Sequence, residues 1–296
     1  MLIKTSKPEC VWKSRAFLGE GVSWTLDIKS VFFVDIIKKK IFIFNTKTNK
    51  KKILKVKKEI GFILPVQKNI FLQGLKSEIR IENLLTREAI VSLSNIDSNY
   101  PNNRINDGKI DPAGRLWFGT MNHKGNGKIG SLYCLDNNLF LQKVDGNYLI
   151  TNGPAFIDKF NFYHTDTRKK IIYKIRINKQ LKIIKKKIFI KFGKSDGSPD
   201  GMTTDINNNL WVCHYHGGKI SVYNLKGRKI HEVKIPAKNI TNCTFGGEKY
   251  NELFVSTARK GMSVNELKKY PLSGGLFKLK TNIRGKKAIS FKYNYI

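Results

Sequence analysis

Six places along the chain hold Glu20, Glu59 or Ile60, Asn106, Asn152, Asp200 and Asn242, among which the carboxylate and amide oxygens could gather around a hard cation. Each stands 11 or 12 residues ahead of an aromatic residue, in turn Phe32, Phe71, Trp117, Tyr163, Trp211 and Phe254. Two carboxylates with amide oxygens, and no Cys or His at the same offset, suit Ca²⁺, Mg²⁺ or Mn²⁺ better than a tetrahedral zinc site, because hard cations prefer oxygen. Gly or Pro flanks four of these residues, in Gly19-Glu20-Gly21, Asn106-Asp107-Gly108, Asn152-Gly153-Pro154 and Pro199-Asp200-Gly201. That composition predicts a constrained loop at each. Singly, Asn-Gly and Asp-Gly are ordinary turn dipeptides; the shared offset is what argues for a site. None of His123, His164, His214, His216 and His231 shares it. They are expected on the surface or rim, with His123 and His214 bordering the pocket.

The elements that must position these groups are legible as a repeat. The six aromatics recur at spacings of 39 to 48 residues, each preceded by an apolar residue or another aromatic in a short strand-like segment. Turn-like stretches such as DPAGR and DINNN precede several of them, and a second strand-like run follows each: residues 40–45, 78–83, 131–136, 171–176, 219–224 and 275–280. Repeats of ~40–50 residues holding several short strands are the signature of propeller blades. The predicted fold is all-β: one six-bladed β-propeller domain over residues 1–296 with a central-channel metal site. No segment of ten or more residues carries a helical stripe. In such a fold the first strand of each blade lines the channel, so polar residues separated by up to ~220 positions would become neighbours.

Composition narrows the classes further. With 41% hydrophobic and 11% aromatic residues in 296, the chain is not intrinsically disordered. No apolar run reaches the ~18 residues of a membrane helix, and the N-terminus lacks the apolar stretch of a secretory signal, so a cytoplasmic protein without membrane contact is expected. Cys10, Cys134, Cys213 and Cys243 are too scattered for a disulfide framework or a zinc finger. The 55 Lys and Arg against 22 acidic residues give a net charge of +33, which raises a nucleic-acid partner. Only 10 of the 55 are Arg, and the Lys residues are spread through hairpins alongside abundant Ile and Asn. A codon bias of an A+T-rich genome gives that pattern without a polyanionic partner, so nucleic acid is not the expected one.

Several segments carry a wider resemblance: LGEGVSW (18–24), RINDGKIDPAGRLWFGTM (104–121), TNGPAF (151–156), SPDGMTTDINNNLWV (198–212), TNCTFGG (241–247) and SGGLFKLK (273–280). From about Leu18 to Phe291 the chain resembles the senescence-marker-protein, gluconolactonase and luciferin-regenerating-enzyme family. The resemblance implies a six-bladed propeller with one divalent ion on its axis, Ca, Mg, Mn or Zn, with a hard, oxygen-liganded cation favoured. It places Glu20 of the GEG segment, Asn152 of the NG segment and Asp200 of the PDG segment as metal ligands. It also places Arg104 and Asn106 as contacts to a small-molecule sugar lactone. The implied activity is metal-dependent lactone hydrolysis by a monomer or weak dimer. The cation polarises the carbonyl, and Asp200 acts as general base with an oxygen that reaches water rather than metal. Two departures are visible: Asn122-His123-Lys124 follows GTM where some members carry an acidic substrate contact, and Pro154 stands where an apolar residue is commoner. Two other readings stay open, the same metal propeller acting on another ester or phosphotriester, and a non-catalytic divalent-cation-binding regulatory protein.

Overall fold

Antiparallel four-stranded meanders repeat along a computed structural model that describes residues 2–294. The chain begins with a short strand, β1 (Glu9–Trp12), and then builds its first sheet from β2 (Gly19–Thr25), β3 (Ser30–Asp35), β4 (Lys40–Asn45) and β5 (Lys51–Lys55). The second sheet holds β6 (Ile60–Gln67), β7 (Ile70–Leu75), β8 (Glu78–Asn83) and β9 (Ala89–Leu93). The third holds β10 (Asn103–Ile110), β11 (Leu116–Asn122), β12 (Gly130–Leu135) and β13 (Leu141–Tyr148). The fourth holds β14 (Thr151–Phe156), β15 (Asn161–Asp166), β16 (Ile171–Ile177) and β17 (Ile183–Lys191). The fifth holds β18 (Ser198–Thr204), β19 (Leu210–Tyr215), β20 (Lys219–Tyr223) and β21 (Lys229–Lys234). The sixth comprises β22 (Asn239–Gly246), β23 (Glu252–Ala258) and β24 (Leu276–Lys280), with β1 as its fourth strand. Six such sheets are the blades of a six-bladed β-propeller, as the repeat predicts. The only α-helix among the described residues is the six-residue α1 (Val264–Lys269).

The chain divides into two compact units. One holds the residues up to Lys57 together with Phe192–Ala288; the other holds Lys58–Lys191 together with the segment from Ile289. In the former, β22 packs against both β2 and β18; in the latter, β10 packs against both β6 and β14. Each unit thus sets the first strands of three consecutive sheets side by side.

The repeated aromatics all fall in the second strand of their sheets, and all six are buried. Burying a side chain such as Phe32 or Phe254 stabilises the fold by about 1.5–3 kcal/mol. Two of the tryptophans also need a partner for their indole N–H. Trp117 Nε1 donates to Asp111 Oδ2 at 3.0 Å, and Trp211 Nε1 donates to Asp205 Oδ2 at 3.0 Å. The same two aspartates cap the preceding hairpin turn: Asp111 Oδ1 accepts from the N–H groups of Ala113 and Arg115, and Asp205 Oδ1 from those of Asn207 and Asn209. The turn-like DPAGR and DINNN stretches therefore do two jobs, reversing the chain and pinning the aromatic behind it. The predicted partner runs match the third strands to within one residue at either end.

Two expectations need correction. The residues at the shared offset lie within strands, not in loops, with Glu59 just ahead of its strand. In the first strand of every sheet the pairing slips by one residue, between Glu20 and Ser23, Ile60 and Phe62, Ile105 and Gly108, Asn152 and Ala155, Pro199 and Met202, and Ile240 and Asn242. Each slip is a β-bulge, which bends the strand and re-aims the side chains beside it. Gly21 and Gly153 sit in two of these bulges with φ of 57° and 82°, which is why glycine follows the candidate ligands there. Pro154 is tolerated in the second of them because an unpaired bulge residue has no ladder N–H to lose. The second correction concerns His164 and His214, which are fully buried rather than on the surface or rim.

Candidate functional site

The first unit holds two of the candidate residues, both acidic. Glu20 lies in β2 and Asp200 in β18, both buried, and both strands flank β22. Glu20 Oε2 accepts a hydrogen bond from the Gly21 N–H at 3.2 Å. The two carboxylates converge electrostatically on the same neighbours. Burial holds the Tyr215 hydroxyl above its ordinary pKa, and the charges of Asp200 and Glu20 push it the same way. The Cys213 thiol is likewise held up by burial, then by its hydrogen-bonded neighbour Cys243, and then by Asp200 and Glu20. Tyr215 donates to the Lys260 carbonyl oxygen at 2.7 Å.

Asn242, in β22, fills the space between these elements. A Cβ on Gly201 would come within 2.5 Å of the Asn242 amide group, so glycine after Asp200 is what lets the two strands approach. Thr241 ties β22 to β2, its hydroxyl donating to the Gly19 carbonyl oxygen at 2.5 Å.

In the second unit three candidate residues are organised by a chain of hydrogen bonds. Arg104 Nη1 donates to Asn106 Oδ1 at 2.7 Å, and Asn106 Nδ2 donates to Asn152 Oδ1 at 3.1 Å and to the Thr151 carbonyl oxygen at 2.6 Å. Asn152 Nδ2 in turn donates to Thr167 Oγ1 at 2.8 Å. Every donor in this relay satisfies a defined acceptor, so the orientation of the Asn152 amide is fixed, with its oxygen on the Asn106 side. Asp107 braces the same strands: Oδ2 accepts from the Gly153 N–H at 2.9 Å and Oδ1 from the Gly108 N–H at 2.9 Å. At the equivalent place in β6 the buried residue is Ile60; Glu59 lies ahead of the strand, 3.4 Å from His123 Nδ1.

The buried histidines take no part in either group. His214 Nδ1 lies 2.7 Å from the Asp196 carbonyl oxygen, which can only accept, so Nδ1 carries the proton. Burial pulls the His214 pKa down to about 4 and the His164 pKa down to about 3. Both are neutral at physiological pH.

The structure thus brings Glu20 and Asp200 together within one unit, and Arg104, Asn106 and Asn152 together within the other. Sequence reasoning missed Asp107, Thr167 and Tyr215. Asp107 was visible only as part of the Asn106-Asp107-Gly108 stretch, and Tyr215 only in the alternation of Trp211, Cys213 and Tyr215 along one face of β19.

Comparison with known proteins places this arrangement. Residues 18–259 match the SMP-30/Gluconolactonase/LRE-like region. The chain belongs to this family. A regucalcin of Pongo abelii is 31% identical over 281 residues, covering 92% of this chain and 94% of that protein. YvrE of Bacillus subtilis, by name a candidate sugar lactone lactonase, is 28% identical over 281 residues, covering 94% and 96%. The crystal structure of a calcium-binding regucalcin from Agrobacterium tumefaciens aligns with a TM-score of 0.90 over 97% of each chain; at 21% identity this establishes the fold. The matched SMP-30/Gluconolactonase/LRE-like span contains Glu20, Arg104, Asn106, Asn152 and Asp200, whereas β1 and β24 lie outside it.

Proposed function

We propose that the protein is a metal-dependent lactonase opening sugar lactones, with residues 1–296 acting as one propeller domain. The observation that carries this reading is that all three expected ligands are buried beside bulges in first strands, in a chain of the SMP-30/Gluconolactonase/LRE-like family.

The donor set fits a divalent cation. Among the described residues no group of three or more His, Cys, Asp and Glu side chains clusters for a metal, and the expected set is mixed, two carboxylates and one amide. Glu20 and Asp200 supply the charge and Asn152 the amide oxygen, a set suited to Ca²⁺, Mg²⁺ or Mn²⁺ rather than Zn²⁺. When bound, the ion supplies Lewis acidity that polarises the lactone carbonyl and offsets the negative charge growing on its oxygen.

The chain's own residues do the rest. Asp200 accepts a proton from the attacking water at a carboxylate oxygen. A bond forms between that water's oxygen and the carbonyl carbon, the acyl–oxygen bond of the ring breaks, and the ring oxygen leaves with a proton as a hydroxyl, giving the hydroxy acid. Arg104 and Asn106 orient the sugar through its hydroxyl and ring oxygens, where placement governs rate. The name of YvrE supports sugar lactones as the substrate class.

Hydrolysis of gluconolactone, galactonolactone and arabinolactone, with and without chelator, tests the reading. At least one should turn over, chelation should abolish the activity, and Asp200→Ala should lower kcat/KM by about 10²–10⁴-fold, the usual worth of a general base. Metal binding without turnover of any lactone or ester would make the protein a cation-binding module instead.

A further inference from the structure

The two faces of β17 have opposite electrostatic surroundings. Lys186 is compensated: its ammonium lies 2.6 Å from Asp145 and 4.6 and 4.7 Å from the ring centroids of Tyr148 and Tyr173. Its neighbours Lys185 and Lys187 point the other way, directly across from Arg176 and Lys174 of β16. These four cations, with Asn161, line a cleft of about 200 Å³. Among the described residues none of the four side chains forms a hydrogen bond or ion pair; the one ring contact in the group is that of the Lys174 ammonium, 6.0 Å from the centroid of Tyr163. The one carboxylate that acts on the group is Asp158, whose charge reaches Lys174 while its oxygens accept from the Phe160 and Asn161 N–H groups.

Like charges directly opposed across a ladder destabilise it, and here two such pairs stand next to each other. Lys174 registers the crowding, since burial first and the Lys187 charge second hold its pKa below the ordinary lysine range. Lysines on an edge strand can guard it against pairing with other chains. That accounts for Lys185 and Lys187 but not for Lys174 and Arg176, which lie on the interior strand of the sheet.

We propose that this cleft binds a compact, multiply charged phosphate-type oxyanion, whose oxygens bridge Lys174, Arg176, Lys185 and Lys187. The guanidinium offers a planar fork and the three ammonium groups offer point charges, the combination that suits a polyphosphate with several oxygens. The inference is independent of the lactonase reading.

Calorimetric titration of the full chain with inorganic triphosphate at ~0.15 M salt tests it. Saturable one-to-one binding is expected, weakened at least ~10-fold in Lys174→Gln/Lys187→Gln. Lys50→Gln/Lys52→Gln removes the same charge from an exposed hairpin and should leave affinity within about twofold. Without anion, the first double variant should melt about 1–3 °C higher than the parent, because a repulsive pair is gone. Absence of saturable binding, an equal loss in both double variants, or tighter binding of a random single-stranded oligonucleotide than of triphosphate would each overturn the proposal.

Discussion

The two units hold their candidate residues by different physical means. In the unit holding Glu20 and Asp200, charge is concentrated: two buried carboxylates bear on the same tyrosine and cysteine. In the unit holding Arg104, Asn106 and Asn152, direction is fixed by a relay running from a guanidinium through two amides to the Thr167 hydroxyl. Charge is what a cation requires most, but a neutral amide oxygen is useful only if it is aimed. One group is therefore sensitive to losing a charge, the other to losing a hydrogen bond several atoms away.

The largest effect should come from the acidic pair. Glu20→Gln keeps the shape and removes one charge, so divalent-cation affinity should fall by ~100-fold or more, given that loss of outer partners alone costs 10–100-fold. Titration calorimetry with Ca²⁺ or Mn²⁺ measures it, and an unchanged affinity would break the contrast between the units.

Each unit also buries one neutral histidine, and acid should find both. The unfolded chain takes up a proton near pH 6.5, while His164 resists until about pH 3 and His214 until about pH 4. Stability is therefore intact above about pH 6.5 and falls as pH drops toward the folded values, by on the order of 2 kcal/mol per histidine at pH 5. Melting curves between pH 7 and 5 should steepen this way in the parent. His164→Phe and His214→Phe should each flatten the dependence; parallel curves for parent and variants would show that these rings do not set it.

The smallest effect tests aim. Thr167→Val leaves Asn152 Nδ2 without its acceptor and should lower cation affinity by ~10-fold, at the low end for an orienting partner, with Thr167→Ser restoring it. If valine and serine behave alike, the relay does not orient Asn152.

Much of the fold was readable because its signal is periodic. The aromatic of each second strand recurs at spacings of 39 to 48 residues with a strand-like run behind it, and that repetition carried the number of sheets and, to within one residue, the bounds of the third strands. Bulges are not local properties of a sequence: whether Glu20 lies in a turn or a bulged strand depends on how β2 registers against β3. Burial of His164 was equally hidden, since β15 is covered on both faces and so lacks the alternation that would have marked the ring as inward. Of the candidate site, residue types at one offset were legible. Thr167 and Asp107 were not, because their roles come from strands that meet only after folding.

The strand β1, paired with β24, carries a consequence for the order of events at the ribosome. Its last residue, Trp12, precedes the first residue of its partner, Leu276, by 264 positions. At typical synthesis rates, that leaves the strand without its neighbour for roughly 13–53 s after it is made. Until then it is an unmated strand that a chaperone could hold or a second nascent chain could capture, and the sixth sheet is stitched from stretches synthesised 264 positions apart.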